Sequence, residues 1–129
     1  MSSLPPDTRL LLIDDHQIYL DGLSLTLGSL CEGVKLDHAR NAAEALQLVR
    51  EYPYDLILLD LQLPDSSGLS LMQKLRAADA MVPIAILSAS NSPSDLEAAL
   101  QLGAAGFISK TTDGKTLLDA VTQLLYGAQ

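Results

Sequence analysis

The chain has 129 residues and a formal net charge of −8, with 48 % hydrophobic and 19 % charged residues. This composition favours one folded domain with an aliphatic core, and it excludes a chain that is disordered by composition. The acidic charge argues against direct contact between this chain and a nucleic-acid backbone, because that affinity comes mainly from Lys and Arg. The single cysteine, Cys31, excludes an internal disulfide.

Five short apolar runs alternate with five stretches that have helical amphipathic spacing. The apolar runs predict strands that are buried on both faces of a sheet. In chain order, the predicted strands are Leu10–Ile13, Val34–Ala39, Leu56–Leu59, Pro83–Leu87 and Ala104–Ser109. The predicted helices are Gln17–Leu30, a helix capped by Asn41 and ended by Pro53, Leu69–Ala78, a helix from Pro93 to Gly103, and a last helix capped by Thr112 or Asp113.

This alternation predicts an α/β fold in which a doubly wound, five-stranded parallel sheet has helices on both faces and right-handed crossovers. The sequence shows no repeat, low-complexity tract or internal linker. We therefore predict one domain over residues 9–127, preceded by a tail of residues 1–8. No targeting segment and no apolar run long enough to span a bilayer are visible, so the chain is expected in the cytoplasm and not in a membrane.

Polar side chains follow four of the five predicted strands directly. Asp14 and Asp15 follow the first strand, Asp60 the third, Ser88 the fourth and Lys110 the fifth. In an open parallel sheet, ligands bind beyond the carboxyl ends of the strands. The five side chains are therefore predicted to gather at one edge as a single site. The alternative is that the aspartates only cap helices or end strands.

Three carboxylates at one edge require compensation. Two carboxylates about 4 Å apart repel by about 4 kcal/mol at an effective dielectric constant near 20, so either one takes a proton or a cation lies among them. Oxygen ligands favour Mg²⁺, and a carboxylate beside such a metal can attack phosphorus to give an aspartyl phosphate. Lys110 could supply the fixed cation that a transferring phosphoryl group needs, and Ser88 could donate a hydrogen bond to it.

At four positions the residues resemble the receiver domain of bacterial response regulators. The matching segments are Leu12–His16, Leu58–Pro64, Ser88-Ala89 and Ile108–Lys110. The stretch from Asp14 to Leu23 further resembles receivers of the NarL/LuxR-type class, which usually carry a C-terminal helix-turn-helix domain. The resemblance implies a CheY-like, flavodoxin-like sheet with the strand order 2-1-3-4-5.

The resemblance also implies a role for each acidic residue. Asp60 would be the phosphoacceptor, and Lys110 would pair with the phosphoryl group. Asp15, Asp60 and the backbone carbonyl of Gln62 would bind Mg²⁺, with Asp14 acting largely through water. His16 is interpreted as a solvent-facing loop residue, with a phosphotransfer role as the alternative.

Two further residues would form the switch. Ser88, where threonine is commoner, would move its hydroxyl toward the phosphoryl group, and Phe107, which lacks the tyrosine hydroxyl, would be the switch aromatic that turns inward. For Phe107 the alternative is simple core packing. Lys110 precedes Thr111 where many relatives have proline, and a cis bond without proline costs about 3–4 kcal/mol, which argues against a cis peptide there.

The function implied is a receiver that accepts a phosphoryl group from a histidine kinase, and not an enzyme beyond its own phosphotransfer and autodephosphorylation. The output would be homodimerisation through the fourth helix, fifth strand and fifth helix, or release of an attached DNA-binding domain. DNA would be bound only by an output domain outside this chain. One alternative is a stand-alone module or one that switches without phosphorylation. Another is a haloacid-dehalogenase-type phosphohydrolase, but Gln62 stands where such enzymes carry a second aspartate.

Overall fold

The structure is a computed structural model, and it describes residues 8–30, 34–65, 67–78, 81–88, 93–110 and 114–126. Five strands alternate with five helices in the predicted order. The strands are β1 (Arg9–Ile13), β2 (Lys35–Ala39), β3 (Leu56–Asp60), β4 (Ile84–Ser88) and β5 (Gly106–Ser109). The helices are α1 (Gln17–Leu30), α2 (Ala42–Glu51), α3 (Gly68–Ala78), α4 (Pro93–Gln101) and α5 (Gly114–Tyr126).

All strand pairs are parallel, and the sheet order is β2-β1-β3-β4-β5. This confirms the predicted fold and strand order. The strand ends differ slightly from the prediction, because β3 and β4 include Asp60 and Ser88, and β5 begins at Gly106 rather than Ala104. Asp60 and Ser88 thus still belong to the hydrogen-bonded ladder when the chain reaches the edge of the sheet.

The sheet has a hydrophobic core on each face. Alternate residues of β1 point to opposite sides, so Leu11 and Ile13 join one core and Leu10 and Leu12 join the other. The first core packs under α2, α3 and α4, and the second packs under α1 and α5. Burial of each leucine side chain contributes about 1.5–3 kcal/mol to the stability of the fold. The continuous apolar runs therefore hold the strands in place, and the strands determine the positions of the residues that follow them.

Helix α2 begins with the cap that the sequence predicted. Asn41 Oδ1 accepts a hydrogen bond from the Glu44 N–H at 2.8 Å. The Glu44 carboxylate accepts in turn from the Arg40 N–H at 2.9 Å, one residue earlier than in a regular capping box. The predicted caps Thr112 and Asp113 of the last helix lie outside the described residues, as do Cys31 and residues 1–7 of the predicted tail.

Across the described ranges, none of the helices combines the length and the apolar character that a bilayer crossing demands.

Candidate functional site

The two buried carboxylates of the site lie at the ends of adjacent strands. Asp14 follows β1 and is fully buried, and Asp60 is the last residue of β3 with 3 % of its surface exposed. The two strands pair in register up to Ile13 and Leu59, so Asp14 and Asp60, the next residues, lie side by side at the edge of the sheet. The Asp14 N–H donates to the Ala39 carbonyl at 2.9 Å, which ties this turn to the end of β2.

Lys110 joins these two carboxylates. Its Nζ lies 2.5 Å from Asp14 Oδ2 and 2.9 Å from Asp60 Oδ2, and only 10 % of the side chain is exposed. Burial alone lowers the pKa of Lys110, but the hydrogen bonds and negative charges of Asp14 and Asp60 outweigh it and leave the pKa raised. Lys110 is therefore a fixed ammonium cation at the centre of the site.

Asp15 and His16 form the solvent side of the same cluster. His16 Nδ1 lies 2.8 Å from Asp14 Oδ1, 3.5 Å from Asp15 Oδ1 and 3.7 Å from Asp60 Oδ2. The His16 side chain is 59 % exposed and the Asp15 side chain 37 %. The interpretation of His16 as a solvent-facing residue was therefore incomplete, because its ring is exposed on one side and contacts the acidic cluster on the other.

The tautomer of His16 determines whether its ring forms a hydrogen bond with Asp14 or with Lys110. Lys110 Nζ lies 3.1 Å from His16 Nδ1, and the same nitrogen is within hydrogen-bond distance of Asp14 Oδ1. A protonated Nδ1 donates to Asp14, whereas an unprotonated Nδ1 accepts from Lys110, and one nitrogen cannot do both. His16 thus competes for the same charges that hold Lys110 in place.

The loop after β3 presents Gln62 to this cluster. The Gln62 N–H donates to Asp60 Oδ1 at 3.0 Å, and Gln62 forms an antiparallel bridge with Ser67. The Gly68 N–H donates to the Leu61 carbonyl at 2.8 Å, which closes the base of the loop. A Cβ on Gly68 would lie 2.3 Å from Leu61 Cα, so this close approach requires glycine.

The cluster has the composition of a hard divalent-cation site. One possible ligand atom from each of Asp14, Asp15, His16 and Asp60 lies within 4.8 Å of all the others. Three carboxylates against one ammonium leave an excess of negative charge, and two of the carboxylates are buried. A divalent cation would compensate that charge, and the carboxylate oxygens fit Mg²⁺.

Tyr19, in the first turns of α1, is a neighbour of the site that the sequence analysis did not single out. Lys110 Nζ lies 5.1 Å from the centre of its ring, within the range of a cation–π contact. Burial raises the pKa of the Tyr19 phenol, the Lys110 charge lowers it, and Asp14 and Asp60 raise it further. The available signal was that Tyr19 lies three residues after His16, in the first turn of α1.

Ser88 and Phe107, the two predicted switch residues, lie on adjacent strands, β4 and β5. Ser88 ends β4 and pairs in register with Ser109, the residue before Lys110. The side chain of Ser88 and the Lys110–Thr111 peptide lie outside what the structure describes. Phe107 is 39 % exposed, so the alternative of simple core packing was wrong.

The sequence matches a known protein family over most of its length. Residues 10–122 match the sequence profile of the family described as "Response regulator receiver domain". The nitrate/nitrite response regulator protein NarL of Escherichia coli K12 is 34 % identical over 127 residues, which cover 98 % of this chain and 58 % of NarL. The chain therefore spans little more than half the length of this relative.

Solved structures show the same fold. A CheY-like response regulator receiver domain protein from Methanospirillum hungatei has a TM-score of 0.86 and 26 % identity, covering 93 % of this chain and 94 % of that protein. A LuxR-family two-component response regulator from Aurantimonas has a TM-score of 0.84 and 29 % identity, covering 95 % of this chain and 88 % of that structure.

Proposed function

Because this chain belongs to the family of response regulator receiver domains, of the NarL/LuxR-type class, we propose that Asp60 accepts a phosphoryl group from a partner histidine kinase. A receiver is a regulatory phosphoacceptor domain of two-component signalling and not a classical enzyme. The observation that carries the assignment is the position of Asp60, buried at the end of β3 with Lys110 Nζ 2.9 Å from its Oδ2.

The surroundings of Asp60 favour attack by one of its oxygens on phosphorus. Oδ1 accepts from the Gln62 N–H and Oδ2 pairs with Lys110, so the carboxylate is held in one orientation. In the transfer, an Asp60 oxygen forms the O–P bond while the N–P bond of the donor phosphohistidine breaks, and its electron pair stays on the imidazole. Lys110 then faces the phosphoryl oxygens and balances part of their charge.

Receiver domains bind Mg²⁺ at the acidic cluster, and four residues here would hold it. We assign Asp15, Asp60 and the main-chain carbonyl of Gln62 as ligands, with Asp14 acting largely through water. When bound, the ion neutralises charge on the phosphoryl oxygens. His16 lies at the open side of the cluster, where it limits the space beside Asp15.

The proposed output is a change in the shape of the surface formed by α4, β5 and α5. We assign Ser88 and Phe107 as the switch pair, with the Phe107 ring turning inward as Ser88 moves toward the phosphoryl group; this is a population shift between two states. Support comes from Leu100 on α4 and Phe107 on β5, which are 51 % and 39 % exposed although both are large and apolar. Homodimerisation through this surface would bury them.

The domain covers residues 9–127 in this proposal, after a short tail of residues 1–8. Transcriptional output would come from an attached DNA-binding domain, as the 58 % coverage of NarL suggests, and the domain would work in the cytoplasm beside its kinase. The aspartyl phosphate would also be lost by autodephosphorylation at the same site.

Mass spectrometry with a small phosphodonor and Mg²⁺ tests the assignment. The wild-type domain should gain one acid-labile phosphoryl group, and Asp60→Asn should gain none. Undiminished labelling of Asp60→Asn would overturn the assignment of the phosphoacceptor. Turnover of a generic phosphate ester by the wild-type domain would instead favour a phosphohydrolase.

A further inference from the structure

The carboxylate of Asp65 joins the loop after β3 to the first turn of α2. Its Oδ1 accepts from the Ala42 N–H at 2.8 Å and its Oδ2 from the Ala43 N–H at 3.2 Å. These amides have no acceptor within the helix, and the helix dipole favours an anion beside them. The hydrogen bond from Ala42 is the main reason that the pKa of Asp65 is lowered, so the contact is made by the carboxylate form at neutral pH.

Helix α2 already has a local cap without Asp65. Asn41 Oδ1 accepts from the Glu44 N–H, and the Glu44 carboxylate accepts from the Arg40 N–H. The start of the helix is therefore fixed by its own sequence. The contact from Asp65 adds something different, because it fixes the position of the loop that carries Asp65.

The segment of residues 39–43 also holds the other acidic loop. The Ala39 carbonyl accepts from the Asp14 N–H at 2.9 Å, while the Ala42 and Ala43 amides donate to Asp65. One short segment is thus hydrogen-bonded on one side to the turn that carries Asp14 and on the other to the loop that carries Gln62. Ala42 and Ala39 are both buried in the core, so this segment is a firm support for the two loops.

We propose that Asp65 is a positioning residue for the metal site. By holding the loop after β3 against the start of α2, it fixes the main-chain carbonyl of Gln62 relative to Asp14 and Asp60. This inference rests on the proposed function, which assigns that carbonyl to the Mg²⁺ ligands. Asp65 acts through the loop and not on the ion itself.

The test compares Asp65→Ala with Asn41→Ala, because each variant removes one cap of α2 and only the first releases the loop. Mg²⁺ affinity is measured by titration of backbone amide NMR shifts, below the unfolding midpoints of all the proteins. Removing a side chain that orients a metal ligand typically weakens affinity about 10- to 100-fold. For Asp65→Ala, which acts through a loop, we expect a loss of about threefold to tenfold, and for Asn41→Ala an unchanged affinity.

Two further measurements separate positioning from stability. The Gln62 amide shift without Mg²⁺ should move in Asp65→Ala and stay in place in Asn41→Ala. Asp65→Asn keeps one acceptor oxygen and should fall between Asp65→Ala and the wild type in affinity; it also serves as the test variant if Asp65→Ala does not fold.

Equal Mg²⁺ affinities for the wild type and the Asp65 variants would overturn the positioning role, and so would an equal loss in Asn41→Ala. A wild-type domain that is labelled on Asp60 and binds Mg²⁺, while the Asp65 variants match it, contradicts this inference alone. A wild-type domain that neither binds Mg²⁺ nor accepts a phosphoryl group contradicts the proposed function and with it the basis of this inference.

Discussion

Lys110 Nζ lies 2.9 Å from Asp60 Oδ2, although 50 residues separate them in the chain. The same nitrogen lies 2.5 Å from Asp14 Oδ2, so one ammonium compensates two buried carboxylates. The third carboxylate, Asp15, is 37 % exposed and has only the His16 ring nitrogen as a basic neighbour among the described ion pairs.

Removing the ammonium should destabilise the domain when Mg²⁺ is absent. Breaking a fully buried ion pair costs about 3–5 kcal/mol, and this site is open to solvent at Asp15 and His16, so we expect Lys110→Met to lose about 1–3 kcal/mol. Mg²⁺ should recover part of that loss, while phosphoryl labelling stays slow. Urea unfolding with and without Mg²⁺ measures the effect.

Lys74→Met is the control for this prediction. It removes an exposed lysine on α3 and should change stability by less than about 0.5 kcal/mol. Equal losses in both variants would contradict the prediction.

Neutralising Asp15 should have the opposite effect. Asp15→Asn removes one carboxylate from a crowded cluster, so the unfolding free energy without Mg²⁺ should rise by about 0.5–1 kcal/mol. The stabilisation by added Mg²⁺ should largely disappear, because one ligand is lost. Thermal unfolding over a series of Mg²⁺ concentrations shows both changes. Glu97→Gln on α4 changes the net charge equally and should keep the Mg²⁺ response; a retained response in Asp15→Asn would show that Asp15 is not a ligand.

Gly68 should not tolerate a side chain. A Cβ at Gly68 would lie 2.3 Å from Leu61 Cα, and the backbone must shift to admit it. We expect Gly68→Ala to cost about 2–4 kcal/mol and to weaken Mg²⁺ binding, since the loop after β3 carries Gln62. Gly22→Ala is the matched control, because nothing lies within 4 Å of its Cβ position on α1; it should stabilise the domain by about 0.5–1 kcal/mol. Chemical denaturation of the pair checks both signs.

Tyr54 should make the domain less stable at alkaline pH. Burial raises the pKa of the Tyr54 phenol, and so do its hydrogen bond to Asp37 at 2.7 Å and the Asp37 charge. Because the folded state favours the neutral phenol, it gains a stabilisation that is fully present below the unfolded pKa of about 10. This stabilisation is lost as the pH rises above that value. Tyr54→Phe should lose about 1–2 kcal/mol at pH 7 and show a flatter decline above about pH 10.

Unfolding free energies from pH 7 to 11 test this prediction, with Tyr52→Phe as the control because its ring is 41 % exposed. If Tyr54→Phe declined as steeply as the wild type above pH 10, Tyr54 would not be the group responsible.

The fold was predictable because each element has a strong local signal. The run Leu56–Leu59 is fully buried in the structure, as a continuous apolar run predicts. Local signals also marked Asp14, Asp60 and Lys110, because each follows an apolar run and the strands bring them to one edge. The limits of the strands were less accurate, since polar residues such as Asp60 and Ser88 continue the ladder by backbone hydrogen bonds that do not depend on hydropathy.

The contacts that the sequence did not reveal are those between loops. In the sequence, Asp65 belongs to a polar loop. No residue near it indicates that its carboxylate accepts hydrogen bonds from the amides of Ala42 and Ala43. His16 was similarly interpreted as an exposed residue, and its side chain is indeed exposed. Its contacts with Asp14 and Asp60 were not predicted, because they depend on how two loops meet. Such pairings are set by the tertiary arrangement, which no local pattern encodes.

The register of β1 against β3 has a consequence for how this domain could fail. Ile13 pairs with Leu59, and the acidic residues come next on both strands. A slip of one residue would move one strand by about 3.3 Å and turn its side chains to the opposite face. The apolar runs would then still be buried in part, but the carboxylates would point away from each other. Misfolded forms of this domain are thus expected to retain secondary structure and lose their response to divalent ions, so that ion binding reports correct strand alignment.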